Sequence, residues 1–183
     1  MVQLDLPLWG QPQRRNQCVP TCLKMILEYL RKKYGDSIPR LSIKKICKIV
    51  DTQIDGTIPK NVERINSYLC NGNPNVEFKS YILGDFKIIK KEILENNLPV
   101  IVWINSADPP DKVWHTVVVT GFDPETNIVT YNDPLDRSEK HEEVGVFSSK
   151  WGFESRMVKV KVFKTKQRQI PEWTSNNNEG EID

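Results

Sequence analysis

The sequence predicts an α+β domain in which an N-terminal helical layer packs on a C-terminal, largely antiparallel sheet. Helical apolar spacing occupies the first third of the chain, while β-branched and apolar runs such as VIVWIN, HTVVVTGF, IVTY and MVKVKVF fill the second half. The turn sequence DPETN separates two of those runs at hairpin distance. Helices followed by strands is the pattern of an α+β architecture. At 183 residues, 38% hydrophobic and 27% charged, the chain has the size and composition of one globular domain.

The elements follow in order. From Cys18 to Tyr34, Leu23, Ile26, Leu27 and Leu30 recur at helical spacing, Pro20 suits a first turn and Gly35 a C-terminal cap. A short second helix is expected over Ile43 to Val50. A third is expected from Pro59 to Leu69, with Thr57 near its cap and Val62, Ile65 and Leu69 facing inward. After the turn-rich NGNPN, the stretch Val76 to Leu83 alternates like a strand, and Asp85 is placed to cap a helix through Phe86 to Glu95. Strands are then expected over Pro99 to Ile104, Trp114 to Phe122, Ile128 to Tyr131 and Met157 to Phe163. The domain is placed at residues 1–165. The polar residues 166–183 cannot bury enough apolar surface to offset their ordering entropy and are expected to form a disordered tail.

Composition excludes several function classes. The 26 basic residues nearly balance 24 acidic ones and are dispersed, so no nucleic-acid footprint is expected. No apolar run approaches the ~20 residues of a membrane helix, and the N-terminus MVQLDLPLWG lacks the pattern of a signal peptide. A cytoplasmic protein with four reduced cysteines, Cys18, Cys22, Cys47 and Cys70, is therefore expected. Glycine-rich phosphate loops and zinc-type cysteine pairs are absent from the sequence, so neither a metal nor a cofactor is expected. Cys47 and Cys70 read as core thiols, Trp103 and Trp114 as residues near the sheet edge, and His141, within RSEKHEE, as solvated.

Three residues carry candidate chemistry. Cys18 stands where the loop QPQRRNQ meets the first helix, and a thiol there feels the positive end of the helix dipole, which favours thiolate. Taken alone, a cysteine in such a place is more often a small buried residue. His115 opens the strand HTVVVTGF and is presented at the end of a rigid element, as a general base must be, although a lone strand histidine is more often structural. Asp133 follows one hairpin later in YNDP, where the returning chain can bring its carboxylate beside the strand of His115. The same tripeptide NDP is also a plain turn signal. A carboxylate in that place fixes the imidazole tautomer and stabilises the imidazolium. A glutamine preceding the nucleophile can donate its amide to an oxyanion, with Gln11 favoured over Gln13.

The segments LPLWGQPQRRNQCVPTCLKMIL, LPVIVWIN and WHTVVVTGFDPETNIVTYNDP, in this order, resemble the bacteriocin-processing family of papain-like cysteine peptidases and its stand-alone relatives. IDGTIPKNV and VGVFSSKW extend the likeness over about Leu4 to Phe163. The resemblance implies a papain-like fold with Cys18 as nucleophile, His115 as base, Asp133 as orienting acid and Gln11 or Gln13 as oxyanion donor. Val19 stands where the family carries glycine, and neither glutamine has the family's usual spacing to the cysteine. The family's founding members are fused to a membrane-spanning, ATP-driven exporter, and this sequence contains no such parts.

The function expected is a cysteine-nucleophile hydrolase, peptidase or amidase, acting on a peptide or protein through an acyl-enzyme. An acyl transferase would use the same residues, and a catalytically inactive papain-like domain that binds a peptide or protein is the alternative from another class. A redox pairing of Cys18 with Cys22 is disfavoured, because residues one helical turn apart aim their Cβ atoms poorly for bridging.

Overall fold

The computed structural model describes residues 1–12, 16–69, 75–105, 114–151 and 154–163. Gln13, Cys70 and the expected tail at 166–183 lie outside them. Helix α1, Cys18–Tyr34, forms over the range its apolar spacing predicts. Val19, Leu23, Ile26, Leu27 and Leu30 are buried, Arg31, Lys32 and Lys33 fill the last turn, and Gly35 takes a φ of 74° that side chains disfavour. A 3-10 turn over Gly35–Ser37 follows. Helix α2, Ile43–Ile49, starts where the Ser42 hydroxyl accepts the Lys45 amide at 3.2 Å.

The expected third helix is present as a 3-10 helix over Pro59–Tyr68, with Val62 and Ile65 buried. Thr57 does not cap it; its hydroxyl pairs with that of Thr52 at 2.8 Å. Helix α3, Phe86–Lys91, is capped by Asp85 through the Lys87 amide at 2.9 Å and continues as a π-helical turn over Glu92–Asn96. Asn97, left-handed at φ 51°, ends it. Glu92 is buried in that turn and is matched there by Lys159 and by the Asn96 amide at 2.8 Å.

The strands are β1 (Val2–Gln3), β2 (Asn75–Tyr81), β3 (Val100–Asn105), β4 (Trp114–Asp123), β5 (Ile128–Asp133), β6 (Ser138–Glu143) and β7 (Met157–Phe163). They form one sheet in the order β2-β7-β3-β4-β5-β6, with β1 against the far end of β4, and every pairing is antiparallel. β3 and β4 lie in its interior and are buried along most of their length, as continuous apolar runs require. At the outer edge the 3-10 helix stands in for a neighbouring strand. The Asn66 side chain accepts the Phe78 amide at 2.8 Å and donates to its carbonyl at 2.9 Å, while Glu63 accepts the Ser80 amide at 2.9 Å.

Strands β1 and β6 and helix α4, Val144–Trp151, escape the sequence reading. β6 (SEKHEE) has no apolar alternation because it is the opposite edge strand, held by main-chain pairing to β5. α4 buries only Phe147 and Trp151, four residues apart. Phe147 joins the rings of Tyr131 at 5.4 Å and Phe86 at 6.2 Å, and Phe86 meets Phe122 at 5.8 Å, forming an aromatic cluster that fastens α3 and α4 to the sheet. Two smaller expectations change. Trp103 is buried in an interior strand rather than near an edge, and Cys47 is half-buried rather than a core thiol.

Candidate active site

Helix α1 opens without a side-chain cap: Gln17 holds the cap position with no such hydrogen bond, and no acidic residue occupies the first turn. Pro20 brings no N–H, so the Cys18 and Val19 amides remain without intrahelical acceptors at the positive end of the helix. Cys18 is the first helical residue and carries its thiol there.

His115 is the second residue of β4 and Asp133 the last of β5. Val118 pairs with Asn132, and side chains alternate along each strand, so His115 and Asp133 project from the same face one diagonal step apart. Their side chains meet at 2.6 Å between Nε2 and Oδ1, with only 7% and 14% of their surfaces exposed. The same carboxylate oxygen accepts the Leu135 amide at 2.8 Å, which pins the turn. With Nε2 committed to Asp133, Nδ1 is the ring nitrogen left for the thiol of Cys18, which lies near enough to help raise the pKa of His115.

The electrostatics of the pair follow from this placement. Burial pushes the Cys18 thiol up, but the polar groups of His115 and Thr116 beside it and the imidazolium charge outweigh it, so its pKa lies below the usual 9.0. For His115, burial pulls the pKa down, while hydrogen bonds to Asp133 and Cys18, with their charges, raise it from 6.5 to about 9. Both shifts act toward thiolate beside imidazolium. Cys22, one turn further along α1, has the opposite fate: complete burial raises its pKa well above 9.0, and its thiol faces the Thr116 carbonyl at 3.4 Å.

A cleft of about 470 Å³ opens beside Cys18, walled by Trp103, Trp114 and Thr116 on the sheet and by residues 53–59 opposite. Trp114 is 40% exposed and lines the cleft next to His115. The opposite wall is folded on itself by reciprocal main-chain bonds between Gln53 and Gly56, and the Asn16 amide donates to the Gln53 carbonyl at 2.7 Å. Gln11 is tied instead to the turn that follows Asp133, its main-chain N–H donating to the Pro134 carbonyl at 2.7 Å. Its side-chain oxygen is buried without a partner among the described residues.

Sequence reasoning missed three residues at this cleft. The Thr116 hydroxyl, buried and in strict hydrogen-bond geometry with no described group, lies close enough to the thiol to lower its pKa. Asn16 and Arg156 each present a buried polar atom, Oδ1 and Nε, without a described partner. No local pattern marks any of the three, because only tertiary convergence gives them their place. Among the described residues no group of three His, Cys, Asp or Glu side chains is arranged to hold a metal ion.

A profile described as the Peptidase_C39 like family matches residues 1–160. The fold is similar to the peptidase domain of Streptococcus ComA, a bifunctional ABC transporter of a quorum-sensing pathway, at a TM-score of 0.59 and 20% identity over 85% of this chain and 96% of that one. It is also similar to a protein from Bacillus anthracis described as a C39-like peptidase, at a TM-score of 0.68 and 17% identity over 87% and 96%. At such identities the likeness establishes a shared papain-like α+β fold. No curated relative matches the sequence. None of the described helices is long and apolar enough to cross a membrane. With the profile spanning nearly all of the described chain and the fold in agreement, the protein belongs to the Peptidase_C39 like family.

Proposed function

We propose that residues 1–165 form a cysteine-nucleophile hydrolase that cleaves a peptide or amide bond, with Cys18 as nucleophile, His115 as acid and base and Asp133 as its orienting partner. The observation that carries this reading is an imidazole held by a carboxylate and raised to about 9, beside a thiol of lowered pKa that lines an open cleft.

The chemistry then runs in two halves. Cys18 Sγ attacks the carbonyl carbon, and the C–S bond forms as the carbonyl electrons move onto oxygen. The uncapped Cys18 amide and the side-chain amide of Gln11, or of Gln13, stabilise that oxyanion. His115 gives its Nδ1 proton to the leaving nitrogen, the C–N bond breaks, and an acyl-thioester remains. Water, deprotonated by His115, attacks the thioester and returns the thiolate. An amine in place of water would make the same residues an acyl transferase.

Iodoacetamide labelling at neutral pH tests the nucleophile. Cys18 is expected to react about ten-fold or more faster than Cys22, Cys47 and Cys70, and His115→Ala is expected to remove most of that advantage. Equal rates at Cys18 and Cys47 would withdraw the nucleophile. Rapid labelling without any trapped acyl-enzyme from peptide mixtures would instead favour a binding domain.

A further inference from the structure

Next to the cleft lies a second groove of about 390 Å³, lined by Ile58, Pro59, Lys60, Ser80, Tyr81, Ile82 and Arg156. Ile58, Pro59 and Arg156 also line the cleft of Cys18, so the two hollows adjoin at these residues. The groove is apolar apart from two cations and the hydroxyl-bearing Ser80 and Tyr81. Ile58 and Ile82 remain 65% and 72% exposed, and no carboxylate lines the groove among the described residues.

The two cations are not equivalent. Lys60 is engaged by Glu63 at 2.5 Å. Arg156 donates Nη2 to Glu154, but its Nε is buried with no partner among the described residues. Nε and Nη2 form one edge of the guanidinium, the edge that takes a carboxylate with two parallel hydrogen bonds. Glu154 is partly exposed and occupies one of those two donors. The main chain beneath is fixed, since the Arg156 carbonyl accepts the Trp103 amide at 3.2 Å and the Trp151 indole at 2.9 Å. The guanidinium is thus carried on a fixed main chain where cleft and groove adjoin.

We propose that Arg156 is a specificity-determining residue that takes an acidic side chain of the substrate, an interior Asp or Glu flanked by apolar residues seated against Ile58 and Ile82. This rests on the reading of the cleft as a peptide-cleaving site. A substrate carboxylate competes with the partly exposed Glu154 for the guanidinium and sets the register of the peptide past Cys18.

The test separates the two readings by measuring binding apart from cleavage. Cys18→Ala protein is titrated with two pools of short fluorescent peptides, amidated at the C-terminus, that differ only in Asp/Glu against Asn/Gln at one position between apolar residues. The acidic pool is expected to bind about ten-fold or more tightly. Arg156→Gln in the same background should abolish that preference, and Arg156→Glu should turn it toward Lys-containing peptides, a reversal that a merely structural role would not produce. In the protein with Cys18 intact, Arg156→Gln is expected to raise KM for an acidic peptide with kcat unchanged, and to leave iodoacetamide labelling of Cys18 at its usual rate, which verifies the fold. Equal binding of the two pools, or a preference that survives Arg156→Gln, would overturn the proposal. Acid-selective binding without cleavage would leave it standing and sink only the hydrolase.

Discussion

A free thiol gives up its proton near 9.0 and a free imidazole near 6.5, yet between Cys18 and His115 that order is inverted. Asp133 has a large part in the inversion, because its hydrogen bond and charge favour the protonated ring. Asp133→Asn is therefore expected to lower the pKa of His115 from about 9 and to draw the alkaline limb of a turnover or alkylation profile toward neutrality. On the proposed mechanism it should cost roughly 10²- to 10⁴-fold in kcat/KM. A limb that stays near 9 would mean that the carboxylate does not govern the ring. Cys18, His115 and Asp133 were legible because each stands at the end of an element whose local pattern is clear: a helix start, a strand start, a turn. Thr116, Asn16 and Arg156 were not, since their roles depend on neighbours more than thirty residues away, and no spacing rule reports such meetings.

Among the elements, the 3-10 helix Pro59–Tyr68 has a part that a helical pattern cannot announce. Apolar spacing located it, but the pairing of Asn66 and Glu63 with the β2 backbone is a tertiary fact. Asn66→Ala leaves the Phe78 N–H and C=O without that partner and is expected to cost about 1–3 kcal/mol, with faster hydrogen exchange at the Phe78 amide. Glu63 adds a pH dependence. Burial would raise its pKa, but bonds from Lys60 and from Ser80 bring it from 4.5 to about 2, so its contribution is complete above 4.5 and is lost as the pH falls through 2. Exchange at Ser80 is accordingly expected to quicken over that interval. α4 illustrates the opposite failure. Gly145, Ser148 and Ser149 dilute a helix that exists to seat Phe147 and Trp151. Phe147→Ala, which empties the centre of the aromatic cluster, is expected to cost about 3–5 kcal/mol in denaturant unfolding at an unchanged m-value.

For the molecule as a whole, the inverted pair has a consequence for stability. His115, raised to about 9, contributes stability that is complete below 6.5 and lost as the pH rises through 9. Cys18, lowered, contributes stability that is complete above 9.0 and lost as the pH falls through its folded pKa. Above 6.5, from the folded pKa of Cys18 up to 9.0, the two trends oppose each other: folding moves one proton from thiol to imidazole without releasing it. The unfolding free energy is therefore expected to be nearly flat there as far as this pair is concerned. Cys18→Ala leaves the Asp133-bound imidazolium alone and should tilt the profile downward with rising pH, by up to ~1.4 kcal/mol per pH unit. A variant as flat as the parent would show that the proton is not shared in this way. The α+β plan and the central β3–β4 pair were readable at this scale because their apolar runs are long, whereas the sheet's two borders were not, because borders are defined by what they touch. Those borders also govern how the molecule behaves in a crowd of its own kind. One is covered at its middle by side chains that take the main-chain groups of Phe78 and the Ser80 amide, and the other, SEKHEE, offers its rim only behind a row of charges, so growth into a fibril by strand addition meets no long open apolar seam at these borders.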